Sequence, residues 1–201
     1  DLTQMALAAS SASLPDRMMR AARLNVPLYE EVEADTTATT QALTVVVIVA
    51  LASGIGSGIA ASMNQAGGNF IGSLIGGIIS ALIGWAVWSF VIYFVGTRFF
   101  GGTATYGELL RTLGYAESPG VLSILAFIPV LGPIVGAVAG IWVLVASFIA
   151  TRQALDISNG KTVGTIIVAI IALIIVLALI SIVLAAIGLG AMAGAGLLGR
   201  P

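Results

Sequence analysis

The sequence contains no cysteine and no histidine, and these two absences exclude much at once. Without thiols there are no disulfides, no thiolate nucleophiles and no cysteine metal ligands; without imidazole there is no histidine base and no usual axial ligand for haem. Charge is nearly as scarce. Only 8% of the 201 residues are charged, against about a quarter in an ordinary soluble domain, which is too few to cover a water-exposed surface. The nine acidic and eight basic residues nearly cancel, to a net charge of −1, so the balance gives no reason to expect a nucleic-acid partner, whose phosphates select basic surfaces. The residues present begin at Asp1 and show no short basic-then-apolar leader, so no signal peptide is read among them.

What is abundant is apolar: 59% of the chain is hydrophobic, in long runs without a charge. The expected fold class is an all-α, polytopic transmembrane helical bundle, because only helices that satisfy their own backbone can sit in lipid in such runs. Residues 1–41 hold six of the nine acidic and three of the eight basic residues and are expected to form an N-terminal cytoplasmic or interfacial region. Within them Ser13-Leu14-Pro15 is a helix start, followed by Leu14, Met18, Ala21 and Ala22 at helical spacing. Arg17, Arg20 and Arg23 lie beside them, which reads as a short interfacial helix with its Arg heads toward phosphates, or else a solvated helix lying on the protein's own loops. The dense acidic stretch Glu30, Glu31, Glu33 and Asp35 is expected to be solvated; binding of a divalent cation or a basic partner surface is the sharper alternative.

Membrane segments are expected over residues 42–187. The runs 42–63 and 71–95 are each long enough to cross at 1.5 Å per residue, with a turn containing Gly67 and Gly68 between them. Thr105-Tyr106-Gly107-Glu108 has capping-box spacing before Leu109, Leu110 and Leu113, with Gly114 as a stop, so a second short amphipathic helix is expected at the membrane surface. The apolar stretch 119–150 is too long for one span, and Pro129 and Pro133 flank Val130-Leu131-Gly132. Two prolines so placed favour a hinge, hence a Pro-broken hairpin supplying the third and fourth of about five segments. The run 163–187 is the last, and residues 188–201 form a Gly- and Ala-rich tail. Charge tests the count, because positive loops collect on the cytoplasmic side. Five passes put Arg17, Arg20, Arg23, Arg98, Arg111, Arg152 and Lys161 on one face; four passes strand the loop from Arg152 to Lys161.

Small residues recur at Gly54 and Gly58, at Gly72, Gly76, Ser80 and Gly84, and at Gly132, Gly136 and Gly140. Such ladders let helix backbones approach closely, either within the chain or against another protein's transmembrane helix. Trp85 and Trp142 sit mid-segment and are expected to fill space opposite the glycines, while Trp85, Trp88, Phe90, Tyr93 and Phe94 offer an aromatic lipid, quinone or pigment groove as a sharper reading. Catalysis needs titratable groups brought together, and the intervals assigned to the membrane contain none. No enzyme activity, metal or cofactor is therefore expected. Partners are expected to be membrane lipids and other transmembrane proteins or a second copy. The expected function is a non-catalytic membrane scaffold or an accessory subunit of a larger assembly; the alternative is a small-solute or lipid transporter working through the Pro129-Pro133 broken helix.

The order of short motifs also carries a resemblance. Leu28-Tyr29-Glu30-Glu31-Val32-Glu33-Ala34-Asp35, then Phe99-Phe100-Gly101-Gly102, Leu113-Gly114-Tyr115, Phe127-Ile128-Pro129 and Asn159-Gly160-Lys161 resemble bacterial members of the Yip family of membrane proteins over about residues 15–187. The Gly114-Tyr115 pair is similar to the Gly-Tyr element of the eukaryotic Yip proteins. The resemblance implies five membrane segments, a cytosolic N-terminus and a place in a bacterial inner membrane. It carries over no catalytic residues. Eukaryotic relatives associate with Rab GTPases and shape vesicle traffic.

Overall fold

A computed structural model describes residues 13–63 and 69–198, with side chains described as far as residue 187; the expected turn at Gly67 and Gly68 and the side chains of the 188–201 tail lie outside the described residues. Every regular element among them is helical. Two short helices, α1 (Leu14–Ala22) and α2 (Val26–Ala34), lead into α3 (Ala38–Met63) and α4 (Phe70–Phe99). Then come α5 (Tyr106–Ala116), a 3-10 helix (Ser118–Phe127), α6 (Leu131–Leu155) and α7 (Asn159–Leu198). Four helices, Ala38–Met63, Phe70–Phe99, Leu131–Leu155 and Asn159–Ile187, are long and apolar enough to cross a membrane. In α7 only 6% of the most apolar window is buried within the chain. A helix that is apolar all round yet uncovered by protein needs lipid for its surface.

Local chemistry sets the ends. The Ser13 side chain accepts from the Asp16 N–H and Pro15 sits in the first turn of α1, and Asn25 and Pro27 repeat the device for α2. The capping box at α5 forms as its spacing predicts: Thr105 accepts from the Glu108 N–H and Glu108 accepts from the Thr105 N–H at 2.7 Å. Gly114, expected as a stop, instead lies inside α5, because close approach and not chain reversal is what needs a glycine there. A Cβ on Gly114 would meet the Ala42 Cβ at 2.8 Å and the Ala42 carbonyl oxygen at 3.2 Å. For the same reason α5 is packed into the protein along most of its length. Leu109, Leu113, Tyr115 and Ala116 are all buried.

From Gly114 onward the chain follows α3 in the same direction. Gly114 lies on Ala42, Gly120 on Val49, and Gly56 meets the backbone carbonyls of Ser123 and Ile124. At the far end Ala60 and Met63 of α3 share a cavity with Ala126, Phe127 and Pro129. The expected first arm of the hairpin is thus a 3-10 helix of ten residues continuing directly from α5. Its tighter winding, about 2.0 Å per residue, gives it roughly 20 Å of reach. Reversal follows at Val130, which has φ 68 and ψ −47 and is bracketed by a hydrogen bond from the Leu131 N–H to the Pro129 carbonyl at 2.8 Å. That is a γ-turn at positive φ, a strained conformation for a β-branched residue. Pro133 then stands in the first turn of α6, where a missing N–H costs little. Gly132 packs on the Ala126 backbone, closing the corner. At the opposite end Gly96 and Gly102 meet the Leu155 side chain, and Gly164 meets the Phe100 ring.

Candidate functional site

The polar residues converge at the end of the bundle where α3 starts and α6 finishes. Arg17 of α1 is only 2% exposed. Its Nε donates to Glu31 Oε1 and its Nη2 to Asp35 Oδ2, both at 2.9 Å, and its Nη1 donates to Gln41 Oε1 at 3.0 Å. The Tyr115 hydroxyl donates to the same Gln41 oxygen at 2.6 Å, and Arg20 adds a 2.7 Å pair to Glu31 Oε2. One planar guanidinium thereby binds α1, α2 and α3 together, and Tyr115 joins α5 to them. This geometry favours the second of the two readings of α1, a helix lying on the protein itself, and corrects the reading of the acidic stretch. The Arg17 head points into protein and not toward phosphates, and Glu31 and Asp35 are paired, not solvated. The reason is that the helical spacing putting Leu14 and Met18 on the buried face of α1 also puts Arg17 and Ala21 there. A buried guanidinium must then find carboxylates. Burial opposes ionisation of Asp35, but hydrogen bonds from Thr37 and Arg17 outweigh it and hold that carboxyl below its ordinary range.

A second clasp lies beside the first. Arg111 of α5 donates from Nε to the Val32 carbonyl at 2.8 Å and from Nη2 to the Glu33 carbonyl, two acceptors at the C-terminal end of α2 that have no partner within the helix. The Trp142 indole donates to the Ala22 carbonyl at 2.7 Å and the Trp85 indole to the Leu110 carbonyl at 3.1 Å. These tryptophans, expected only to fill space, bond α1 and α5 to the long helices.

The other sequence-derived positions are scattered. Trp85 and Trp88 line cavities in the bundle, while the Phe90 ring lies 6.3 Å from both the Tyr93 and Phe94 rings and 5.9 Å from Tyr106, with Phe90 and Phe94 half-exposed. Gly54 and Gly58 receive Leu74 and Phe70 of α4, and Gly132 receives Ala126. Gly76, Gly84, Gly136 and Gly140 have nothing within 4 Å of a Cβ position, and Gly72 meets only its own cap residue Asn69. Ser80 is exposed on the same face as Gly76 and Gly84. Sequence reasoning missed Gly56 and Gly120 and read Gly114 only as a stop; their signal would have been single glycines matched to small or β-branched partners on another segment. It also missed Glu117, which follows the last residue of α5 and lines two cavities within the bundle. Among the described residues no three His, Cys, Asp or Glu side chains gather as a metal site.

Glu33 gives the polar end a pH dependence. Its Oε2 is buried without a hydrogen-bond partner. Burial, followed by repulsion from Asp156, Glu30 and Glu108, pushes its pKa up to about 7, against the pull of Arg111. A carboxyl whose folded pKa is raised contributes stability that is complete below its unfolded value of 4.5 and is lost as pH rises through about 7. Glu33→Gln is therefore expected to raise the thermal midpoint in mild detergent by several degrees at pH 8 and to change it little at pH 4.5; equal effects at both pH values would contradict this.

Comparison with known proteins agrees with the architecture. A family model described as the Yip1 domain matches residues 28–182, from the middle of α2 to within α7. Searches of curated proteins and of solved structures find no match. The match takes in both clasps except Arg17 and Arg20, and all four apolar helices except the outer part of α7. With a family model covering most of the chain, and four helices of membrane-crossing length beneath it, the protein belongs to the Yip1 domain family of multi-pass membrane proteins.

Proposed function

We propose that this protein is a non-catalytic membrane scaffold or accessory subunit of a larger bacterial membrane assembly, such as an energy-converting complex, docking through small-residue helix faces that its own fold leaves uncovered. The observation that carries this is the split among the glycines. Gly54, Gly56, Gly58, Gly114, Gly120 and Gly132 are filled by neighbours from the same chain, whereas Gly76, Gly136 and Gly140 have nothing within 4 Å of a Cβ position and Gly84 opens onto the cavity beside Trp85. In lipid, helix association relies on close backbone approach, so a smooth uncovered face is where a further helix gains contact. The charged groups at the polar end bond to one another and to helix ends, as structural ties do.

The topology that goes with this reading has five passes, with the 106–127 run as the third and the N-terminus in the cytoplasm of a bacterial inner membrane. Support comes from the register of that run along α3, which carries it from the level of Ala42 to that of Met63, and from the basic residues, of which Arg98, Arg152 and Lys161 lie at the same end as Arg17. Single cysteines at Thr103 and Ser158 are expected to be labelled by an impermeant reagent from the cytoplasmic side, and one at Val130, which is 80% exposed at the far end, from the opposite side. Labelling of Val130→Cys from the same side as Thr103→Cys would mean that the 106–127 run returns without crossing. For the docking face, Gly76→Leu is expected to shift the protein from a larger complex to the monomer in mild-detergent native electrophoresis while its own melting is unchanged. Gly114→Leu is expected to lower stability by about 1–3 kcal/mol through overpacking against Ala42. A Gly76→Leu protein that still migrates with its partners would remove that face from the account.

A further inference from the structure

Glu117 stands where a carboxylate is costly. It follows the C-terminal residue of α5, where the helix dipole disfavours negative charge, and it lies within the bundle between α4 and α6. None of the ion pairs or side-chain hydrogen bonds among the described residues reaches its carboxylate. On one side it lines a cavity of about 390 Å³ together with Trp88, Ser147, Phe148, Thr151 and Ile167. Ser147 and Thr151 are one helical turn apart on α6 and so share a face. Their hydroxyls are also without hydrogen bonds among the described residues, whereas Thr44, Ser57, Thr97, Thr112 and Thr162 all donate to the carbonyl four residues back. The residues lining this one cavity thus include a carboxylate and two hydroxyl side chains without hydrogen bonds among the described residues, beside an indole.

We propose that this cavity binds the primary ammonium headgroup of a membrane lipid. An ammonium has three N–H donors and a positive charge; the cavity has three acceptor groups and a negative one. Trp88 adds an aromatic surface of the kind that attracts cations. The rest of the lining is apolar and continues onto lipid-facing residues, with Leu144 70% and Ile167 51% exposed, which gives the acyl chains a path out along α6 and α7. Ser147 is eight residues from the end of α6 and Ile167 eight residues from the start of α7, about 12 Å below the helix ends. The 25 residues of α6 overhang a hydrocarbon core of about 30 Å by only a few ångströms at each end, so this level lies inside the core boundary, and a headgroup bound there is drawn below the lipid surface. The inference rests on the membrane placement of the four long helices and not on the scaffold reading.

The test uses the full chain in nanodiscs containing equal phosphatidylethanolamine, phosphatidylcholine and phosphatidylglycerol, with retained lipid read by native mass spectrometry after extraction. Phosphatidylethanolamine is expected to be retained over phosphatidylcholine by about tenfold, since trimethylation removes every N–H donor and a hydrogen bond to a charged group is worth about that factor. Glu117→Gln is expected to abolish the preference, as is Ser147→Leu, which fills the cavity and leaves the carboxylate in place. The second variant decides the matter should the first fail to fold. Dodecylamine is expected to compete with phosphatidylethanolamine; competition by the free amine without retention of the phospholipid would overturn the lipid as occupant. Equal retention of the three lipids by the unaltered chain, or an unchanged preference in both variants, would overturn the site.

Discussion

A single buried guanidinium fixes how the polar and apolar parts of this chain meet. Arg17 reaches Glu31, Asp35 and Gln41 from a position almost closed to solvent. Taking a charge out of water is expensive, and the cost is recovered only where geometry and partners are complete. Completeness here requires that α1, α2 and the start of α3 be in place at once. The Tyr115 hydroxyl, which shares the Gln41 oxygen, makes the same demand of α5. Below this clasp the interactions are of another kind. Water is absent from the surroundings, so apolar burial no longer drives helices together, and close contact takes over. The chain answers with glycines at several crossings, Gly114 on Ala42, Gly120 on Val49 and Gly96 on Leu155.

The match to the Yip1 domain, from inside α2 to inside α7, takes in most of both regimes but leaves out Arg17 itself. The matched span contains Gln41, Tyr115, Arg111 and both carboxylates that Arg17 uses. It also contains the register of the 106–127 run along α3, which depends on Gly114-Tyr115: the glycine permits the approach to Ala42 and the tyrosine, one residue on, bonds Gln41. Two adjacent residues thus set both the depth and the rotation of α5.

Much of this was legible in the sequence. Uncharged runs gave the long helices, because nothing but membrane length and hydropathy is needed to see them. The caps at Ser13 and Thr105 were legible because they are strictly local. The 3-10 helix was not, since its winding and its continuity with α5 come from contacts with α3 that no local pattern encodes. The expectation that this helix stops at Gly114 failed for that reason. Arg17 and the acidic stretch were misjudged because periodicity shows which residues share a face but not that the face is buried by α2. Among the glycines a regular ladder attracts the eye, yet Gly76 and Gly84 meet nothing in the chain while the isolated Gly56 and Gly120 are crossing points. Spacing reports what a face can do; only the fold reports which face is used. Glu117 carries no signal in the sequence because it stands two residues before the apolar run that begins at 119.

The central claim is that Arg17 joins the N-terminal helices to the bundle, and replacing it with Met tests this most directly. Removing one partner of a buried pair typically costs about 3–5 kcal/mol; with Asp35 24% exposed, the lower end is expected here. The measurement is equilibrium unfolding in mild detergent, combined with limited proteolysis. Arg17→Met is expected to lose about 3 kcal/mol and to expose the segment between α2 and α3 to cleavage, while the long helices stay protected. Unchanged stability with α1 and α2 still protected would contradict the account.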